Sequence, residues 1–322
     1  MHQLRIVTRL LMGSLIVAVY MPFCGPLDVK PTAPKSEAQQ RMHELWTAPA
    51  DVASEDMTYG PWGKKDAPDA ATPFTYRKPK THGVSPGYEV SDPAGREWSV
   101  KFGDEGPVEV VMSRTLSALG YHQPPVYYLA HFKLTDDKGT HDQGGARFRL
   151  KVKELKDRGE WAWQQNPFVG TEPYQGLLVI MMLFDSTDLK NSNNTIYDFK
   201  GPDGEEPWYV VRDLGSALGE TGRLDPKRND PELLAHDTFV SGIHDGFVVF
   251  DYHGYHQELY SNRITPRDVQ WACDLAGRLT DEQWHQLFAA TGYEPETANR
   301  FIATLEKRIE QGRSIEVPAS GR

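Results

Sequence analysis

Apolar and polar residues alternate from about residue 76 onwards, which is the pattern of β-strands with one buried face. Residues 88–90 and 97–102 show this alternation and flank Asp-Pro-Ala-Gly at 92–95, a sequence typical of turns. The pattern therefore predicts a β-hairpin. Its second strand has an apolar face (Trp98, Val100, Phe102) and a polar face (Ser99, Lys101).

An amphipathic helix is predicted after the hairpin. Pro107 suits the first turn of a helix, apolar residues then recur on one face as far as Leu119, and Gly120 is a common helix terminator. Two more strand-like runs, residues 126–134 and 147–155, come next. This part of the chain is therefore predicted to be rich in β-structure and to carry one helix.

The second half of the chain is predicted to be mainly helical. Residues 176–184 are almost continuously apolar, which fits a buried helix, and a polar loop follows at 185–194. The other elements are a second hairpin (195–197 with 208–211), helices with capping boxes or close variants at Thr265 and Thr280, and a last helix from about 296 to 311 that Gly312 ends. A small β-rich lobe followed by a larger helical lobe makes the predicted fold class α+β.

The N-terminus has the pattern of an export signal. Arg5 and Arg9 precede an apolar run at residues 10–21, which is shorter than the about 20 residues that a membrane-spanning helix needs. Residues 1–24 are therefore interpreted as a signal peptide, with an uncleaved N-terminal anchor or a lipid on Cys24 as alternatives. The predicted location is periplasmic or otherwise extracytoplasmic, and membrane contact is expected only through this segment.

Changes in composition along the chain suggest three further regions. Residues 25–75 are rich in Pro and Ala and show little periodicity, so they are predicted to form a leader or tether. Some of its aromatic residues are expected to dock on the domain (Trp46, Tyr59, Trp62, Phe74). Residues 76–158 are assigned to a β-rich N-lobe and residues 159–316 to a helical C-lobe.

The overall composition excludes two classes of protein. The formal net charge of the 322-residue chain is −10, whereas nucleic-acid binders usually carry a basic face. The chain has two cysteines, Cys24 and Cys273, so a scaffold held together by several disulfides is excluded. Cys273 lies in a helical apolar pattern, where a buried and inert thiol is expected.

Lys101 is the first residue of a predicted phosphate-transfer site. Such a reaction needs a cation on the phosphates of the nucleotide, and Lys101 lies near the end of a strand, shortly before the helix. An acidic residue in the first turns of that helix would hold the ammonium group towards the phosphates. Glu109 and Glu105 are both in reach, and the sequence does not choose between them.

Two short motifs in the second half supply carboxylate and amide groups. The loop 188–193 reads Asp-Leu-Lys-Asn-Ser-Asn, and Asp-Leu-Gly at 213–215 follows a strand-like run. Together with Lys101, they resemble the protein-kinase superfamily, whose catalytic loop contains Asp-Leu-Lys-x-x-Asn and whose metal-binding motif is Asp-Phe-Gly. The resemblance covers about residues 80–220 and implies a two-lobed kinase-like fold.

The resemblance also implies roles for individual residues. Asp188 would orient or deprotonate the acceptor hydroxyl, while Asn193 and Asp213 would bind Mg²⁺ or Mn²⁺. A loop that covers the phosphates of ATP is expected at residues 81–87. The residues predicted to bind the nucleotide are Gly83, Ser85, Gly87, Ser99, Lys101 and Glu109.

The sequence departs from ordinary protein kinases in two places. Ser186 and Thr187 replace the His-Arg pair that usually precedes the catalytic Asp, and Asp185 is a rival for the role of base. The loop at 81–87 lacks the usual glycine spacing. It is more similar to atypical branches of the superfamily, such as the HipA toxin kinases and the phosphatidylinositol kinases.

Other functions are also compatible with the sequence. A kinase-derived binding module that no longer catalyses would suit a location where ATP is scarce. A metal-dependent hydrolase would use the histidine-rich stretch 236–256. Four aromatic residues would either line a substrate platform or fill the core (Trp161, Trp163, Phe168, Tyr174). The acceptor substrate is not identified by any motif.

Overall fold

The computed structural model of the protein describes residues 28–80, 85–202, 204–219, 229–252 and 254–317. The predicted signal peptide or anchor at residues 1–24 lies outside these ranges, as do Gly83 and His253. Within the described ranges, no helix combines the length and the hydrophobicity needed to cross a membrane.

Strands dominate the first half of the described chain and helices the second. The strands are β1 (Lys30–Pro31), β2 (Phe74–Pro79), β3 (Gly87–Ser91), β4 (Glu97–Phe102), β5 (Val126–Leu129), β6 (Phe132–Asp136), β7 (Gly139–Gln143), β8 (Ala146–Leu150), β9 (Leu155–Gly159), β10 (Gln165–Asn166), β11 (Asn194–Gly201), β12 (Gly204–Val211), β13 (Val240–His244) and β14 (Phe247–Phe250). The helices are α1 (Lys35–Gln40), α2 (Glu105–Ala118), α3 (Glu172–Leu183), α4 (Pro231–His236), α5 (Pro266–Ala276), α6 (Asp281–Ala290) and α7 (Pro295–Arg313). The predicted α+β fold class, with a β-rich N-lobe and a helical C-lobe, is confirmed.

A seven-stranded sheet with the order β5-β8-β4-β3-β2-β6-β7 forms the N-lobe. The predicted hairpin is confirmed as β3 and β4, in which Gly87 lies opposite Lys101. One face of the sheet is buried in an apolar cluster that includes Phe74, Trp98, Val100 and Phe148. Because side chains alternate along a strand, Ser99 and Lys101 lie on the opposite face.

Helix α2 lies beneath this opposite face. It contacts β4, β5 and β8 of the sheet and α6 of the C-lobe, and nearly all of its residues are buried. The helix begins at Glu105, earlier than the predicted start at Pro107. Its position places the acidic residues of its first turns close to the end of β4.

The C-lobe is built around the apolar helix α3, which contacts α5 and α7. Both predicted capping boxes are present, at Thr265 and Thr280. The predicted stop at Gly312 is wrong, because α7 continues to Arg313. Glycine is needed at 312 for close packing of the helices, since a Cβ there would lie 2.3 Å from Cys273 Sγ. The aromatic residues for which a substrate platform was considered are buried in the core (Trp161, Trp163, Phe168, Tyr174).

The segment predicted as a loose leader or tether is packed against the domain. We call its described part, residues 28–73, the N-terminal strap. The indole nitrogen of Trp46 donates a hydrogen bond of 2.8 Å to the carbonyl of Leu119, directly after α2. The side-chain amide of Gln283 in α6 donates a hydrogen bond of 2.8 Å to the carbonyl of Val52. The strap therefore connects α2 with the C-lobe.

Candidate functional site

Lys101 lies at the centre of a cluster of carboxylates. Its side chain is 2% exposed, and its Nζ lies 2.5 Å from Glu105 Oε2 and 3.5 Å from Glu109 Oε2. The same Nζ donates a hydrogen bond of 2.8 Å to Asp213 Oδ1, although Asp213 is 112 residues away in the chain. The structure thus brings together a strand residue, two helix residues and the predicted metal-binding Asp.

Both acidic residues that the sequence left open contact Lys101, but they have different surroundings. Glu109 is fully buried, and its carboxylate also contacts the guanidinium groups of Arg147 and Arg149. Glu105 is partly exposed and makes the closer contact with Lys101. Glu109 therefore interacts with three cations at once, while Glu105 is the more exposed of the two carboxylates.

The ionisation of Glu109 is stabilised by these cations. Burial by itself would raise the pKa of its carboxyl group, but the charges of Arg147, Arg149 and Lys101 outweigh burial and hold the pKa well below its usual range. Glu109 is therefore charged at neutral pH, and it keeps Lys101 and the two arginines at the end of the sheet.

The loop at 188–193 is held next to Asp213 by the backbone of Asn193. The carbonyl oxygen of Asn193 accepts hydrogen bonds from the backbone N–H groups of Arg212 and Asp213, at 2.8 and 3.2 Å. The Asn193 side-chain amide nitrogen donates a hydrogen bond of 2.7 Å to the carbonyl of Asp188. Asn193 thereby fixes the positions of both predicted motifs relative to each other.

The side-chain oxygens of Asn193 and Asp213 fit a hard divalent cation. Because the Asn193 amide nitrogen is bound to the carbonyl of Asp188, the amide oxygen is the atom left to face a ligand. The Asp213 side chain is 45% exposed, and the backbone hydrogen bond between Asp213 and Asn193 holds the two residues next to each other. Carboxylate and amide oxygens are the ligands that Mg²⁺ and Mn²⁺ prefer. Asp213 and Asn193 are therefore the residues that would hold the metal.

A cavity of about 530 Å³ adjoins this cluster, which is a usual size for a small-molecule site. Its lining includes Ser99, two residues before Lys101 on β4, and Arg212, the residue before Asp213. Its other walls come from the ends of β2 and β8 and from β9. The predicted nucleotide-binding residue Ser99 therefore lines a cavity beside the predicted metal ligands.

The predicted phosphate-covering loop is described only in part, since residues 81–84, including Gly83, lie outside the described ranges. Ser85 Oγ donates a hydrogen bond of 2.7 Å to Glu105 Oε2, which places it at the same cluster. A Cβ on Gly87 would lie 2.2 Å from the carbonyl oxygen of Val100, so the hairpin requires glycine there. Gly87 therefore allows β3 and β4 to pair closely.

Asp185 is less suited to be the base than Asp188. Its residue exposure is only 6%, and its backbone has a φ of +52° at the sharp bend after α3. The Asp188 side chain is 22% exposed and its Oδ1 forms an ion pair of 2.8 Å with Lys190. Asp188 is therefore the more exposed of the two carboxylates, although its Oδ1 atom is itself buried.

The described histidines of the stretch 236–256 are paired with different carboxylates. His236 contacts Asp237, His244 contacts Asp245, and His256 contacts Glu258. In the described part of the chain, no group of three His, Cys, Asp or Glu side chains is arranged to hold a metal ion. His253, on which the hydrolase hypothesis also depended, lies outside the described residues.

Several cations of the site were not predicted from the sequence. Arg147 and Arg149 on β8, Arg212, and Lys80 after β2 all lie at the cavity or at the Glu109 cluster. The alternation on β8 placed Arg147 and Arg149 on a polar face, but only the pairing of β8 with β4 brings that face to Lys101. Lys80 directly precedes the predicted loop at 81–87 and carried no other signal.

Gly215 allows α2 to approach the Asp-Leu-Gly motif. A Cβ on Gly215 would lie 2.6 Å from the Cβ of Glu105. We expect Gly215→Ala to push α2 away, to reduce the free energy of unfolding by about 1–3 kcal/mol, and to weaken the contact between Glu105 and Lys101. Urea unfolding measures the first effect and nucleotide titration the second. Gly144→Ala is the matched control, because nothing lies within 4 Å of a Cβ at Gly144; equal stability of the two variants would contradict the prediction.

The fold is similar to those of kinases. No protein-family model matches the chain, and no curated protein does. The Helicobacter pylori proinflammatory kinase CtkA aligns with a TM-score of 0.46 at 10% identity, over 76% of this chain and 95% of that chain. The Golgi casein kinase with Mn and ADP bound aligns with a TM-score of 0.41 at 9% identity, over 88% of this chain and 76% of that chain.

The HipA protein of Shewanella oneidensis, in its complex with HipB and operator DNA, aligns with a TM-score of 0.32 at 12% identity, over 95% of this chain and 76% of that chain. Kinases are thus among the solved structures to which the fold is similar. Since these TM-scores are all below 0.5, the roles of individual residues rest on the geometry of the site itself.

Proposed function

We propose that this protein is an atypical kinase that transfers the γ-phosphoryl group of ATP to a hydroxyl acceptor with the help of Mg²⁺ or Mn²⁺. The observation that supports this function best is the meeting of Lys101, Asp213 and Asn193 beside a cavity of about 530 Å³. These residues come from a strand and two loops that are far apart in sequence. A cation next to hard oxygen ligands is the arrangement that phosphoryl transfer requires.

Each residue then has a defined role. Lys101, held by Glu105 and Glu109, contacts the phosphates of the bound nucleotide. Asp213 and Asn193 hold the divalent metal, which when bound neutralises the charge that develops on the transferred phosphoryl group. Asp188 orients the acceptor hydroxyl and accepts its proton. Lys190, whose Nζ contacts Asp188 at 2.8 Å, keeps that carboxylate in position.

The location of this activity is part of the proposal. The arginines and the apolar run at residues 1–24 support export from the cytoplasm. An exported kinase would meet ATP only in a compartment that supplies it. The acceptor is therefore to be sought among hydroxyl-bearing molecules of the same compartment.

Nucleotide binding is the direct test of the proposal. ATP or ADP with Mg²⁺ or Mn²⁺ should raise the melting temperature, because a ligand at 100 times its Kd adds about 2.7 kcal/mol to the free energy of unfolding. Thermal-shift titrations with nucleotide alone, metal alone and both together measure this effect. We expect the largest shift with both. A melting temperature that no combination of nucleotide and metal changes would contradict the proposal and would indicate a non-catalytic binding module.

A further inference from the structure

Lys80 lines the cavity next to the end of the β3–β4 hairpin that carries Lys101. It follows β2 directly, and its backbone N–H donates a hydrogen bond of 2.9 Å to the carbonyl of Gly87. Its side chain passes over this glycine, since the Lys80 Cδ is 3.4 Å from the point that a Cβ on Gly87 would occupy. Gly87 is the residue paired with Lys101 across the hairpin. Lys80, directly after β2, and Lys101, on β4, therefore lie on either side of β3 at the same end of the sheet.

Lys80 differs from the other cations that line the cavity in having no counter-ion. The others are paired: Lys78 with Glu89 at 3.2 Å, Lys151 with Glu89 at 2.8 Å, Arg212 with Asp157 at 3.0 Å, and Arg149 with Glu109. Lys80 has no ion-pair partner anywhere in the ranges that the structure describes. It is also half-buried, so the surrounding water screens its charge only in part.

Its surroundings make this charge unfavourable in the absence of a ligand. Burial lowers the pKa of Lys80, and the positive charges of Lys101 and Arg147 lower it further; together they outweigh the carboxylates of Asp213 and Glu109, which raise it. A bound anion would remove this repulsion and supply the missing counter-ion. Phosphate groups carry the charge density that several closely spaced cations require.

We propose that Lys80 binds the phosphate groups of the nucleotide and thereby makes the cavity selective for nucleoside di- and triphosphates over uncharged nucleosides. This inference rests on the proposed kinase function and adds a second phosphate-binding lysine to Lys101.

Isothermal titration of the full chain with Mg²⁺·ADP and with adenosine tests this inference. We expect Lys80→Met to weaken ADP binding by about 10- to 100-fold, the value of one charge-assisted hydrogen bond, and to leave adenosine binding within about twofold. Lys80→Arg keeps the charge and should restore most of the ADP affinity. Lys133→Met, at an exposed lysine on the adjacent strand β6, is the matched control and should bind ADP like the native protein.

The outcomes separate this inference from the proposed function. Native protein that binds no ADP would overturn both. Native protein that binds ADP, together with a Lys80→Met variant of equal affinity, would overturn only the role of Lys80. An equal loss of ADP and adenosine binding would also overturn it, because the residue would then shape the cavity instead of binding phosphate. Thermal unfolding of each variant checks that the fold is retained.

Discussion

Asp213→Ala is expected to abolish phosphoryl transfer while the protein remains folded. The variant loses the carboxylate that would hold the metal, and a bound metal stabilises the transition state by several kcal/mol. Since each 1.4 kcal/mol or so corresponds to a factor of ten, kcat/KM should fall by roughly 10³-fold or more. The measurement is transfer of labelled γ-phosphate to protein or small-molecule acceptors, or ATP hydrolysis where the acceptor is unknown.

The fold should tolerate this change because Asp213 is 45% exposed and Lys101 keeps its contacts with Glu105 and Glu109. Asp274→Asn is the matched control, since Asp274 pairs with Arg313 between α5 and α7 and is not among the residues that line the cavity. It should retain full activity. An Asp213→Ala variant with native turnover would contradict the mechanism, whereas loss of activity in both variants would indicate a general effect on the structure.

Glu109→Ala is expected to be the most destabilising single substitution of the site. It removes a carboxylate that contacts Lys101, Arg147 and Arg149 together, and two of these cations are almost fully buried. Removing one partner of a buried ion pair costs about 3–5 kcal/mol, because the remaining charge lacks compensation. Urea unfolding at neutral pH measures the loss. Glu105→Ala is the comparison, and its smaller effect is expected because Lys101 retains Glu109 and Asp213.

The contribution of Glu109 should depend on pH in a defined direction. Its pKa in the folded protein is held below the ordinary value of 4.5. The stabilisation is therefore complete above pH 4.5 and is lost as the pH falls through the folded-state pKa. The difference in unfolding free energy between native protein and Glu109→Gln should narrow when the pH is lowered from 6 towards 3. A difference that widens on acidification would contradict the ion-pair interpretation.

Local patterns predicted the elements that carry the site. The alternation in 97–102 placed Lys101 on the polar face of a strand, and the hairpin, the following helix and the apolar helix α3 are all present. The second hairpin is confirmed as β11 and β12. These predictions succeeded because each depends on side chains within a few residues of one another.

Pairings between distant segments were not predictable in the same way. The run 126–134 is two strands that occupy different places in the sheet, and 147–155 ends β8 and begins β9 in another sheet. The choice between Glu105 and Glu109 depended on the direction in which α2 leaves β4. The place of Lys80 at the site could not be predicted, because it follows from the pairing of β2 with β3 and of β3 with β4.

The strap is the feature for which sequence periodicity was least informative. Its residues are rich in proline and form mostly turns and short 3₁₀ segments, so no repeating apolar pattern marks them as buried. Individual side chains are nevertheless in the core, for example Leu45, Val52 and Met57. Irregular backbone can be buried in this way when other segments satisfy its carbonyl groups, as Gln283 does for Val52.

The order of synthesis gives this arrangement a kinetic consequence. Val52 and Gln283 are separated by 231 positions, so the strap leaves the ribosome well before helix α6, to which it binds. Contacts of such long range form late in folding. The strap should therefore dock on the C-lobe only after α6 has been synthesised, and the side chains that the strap buries stay exposed until then.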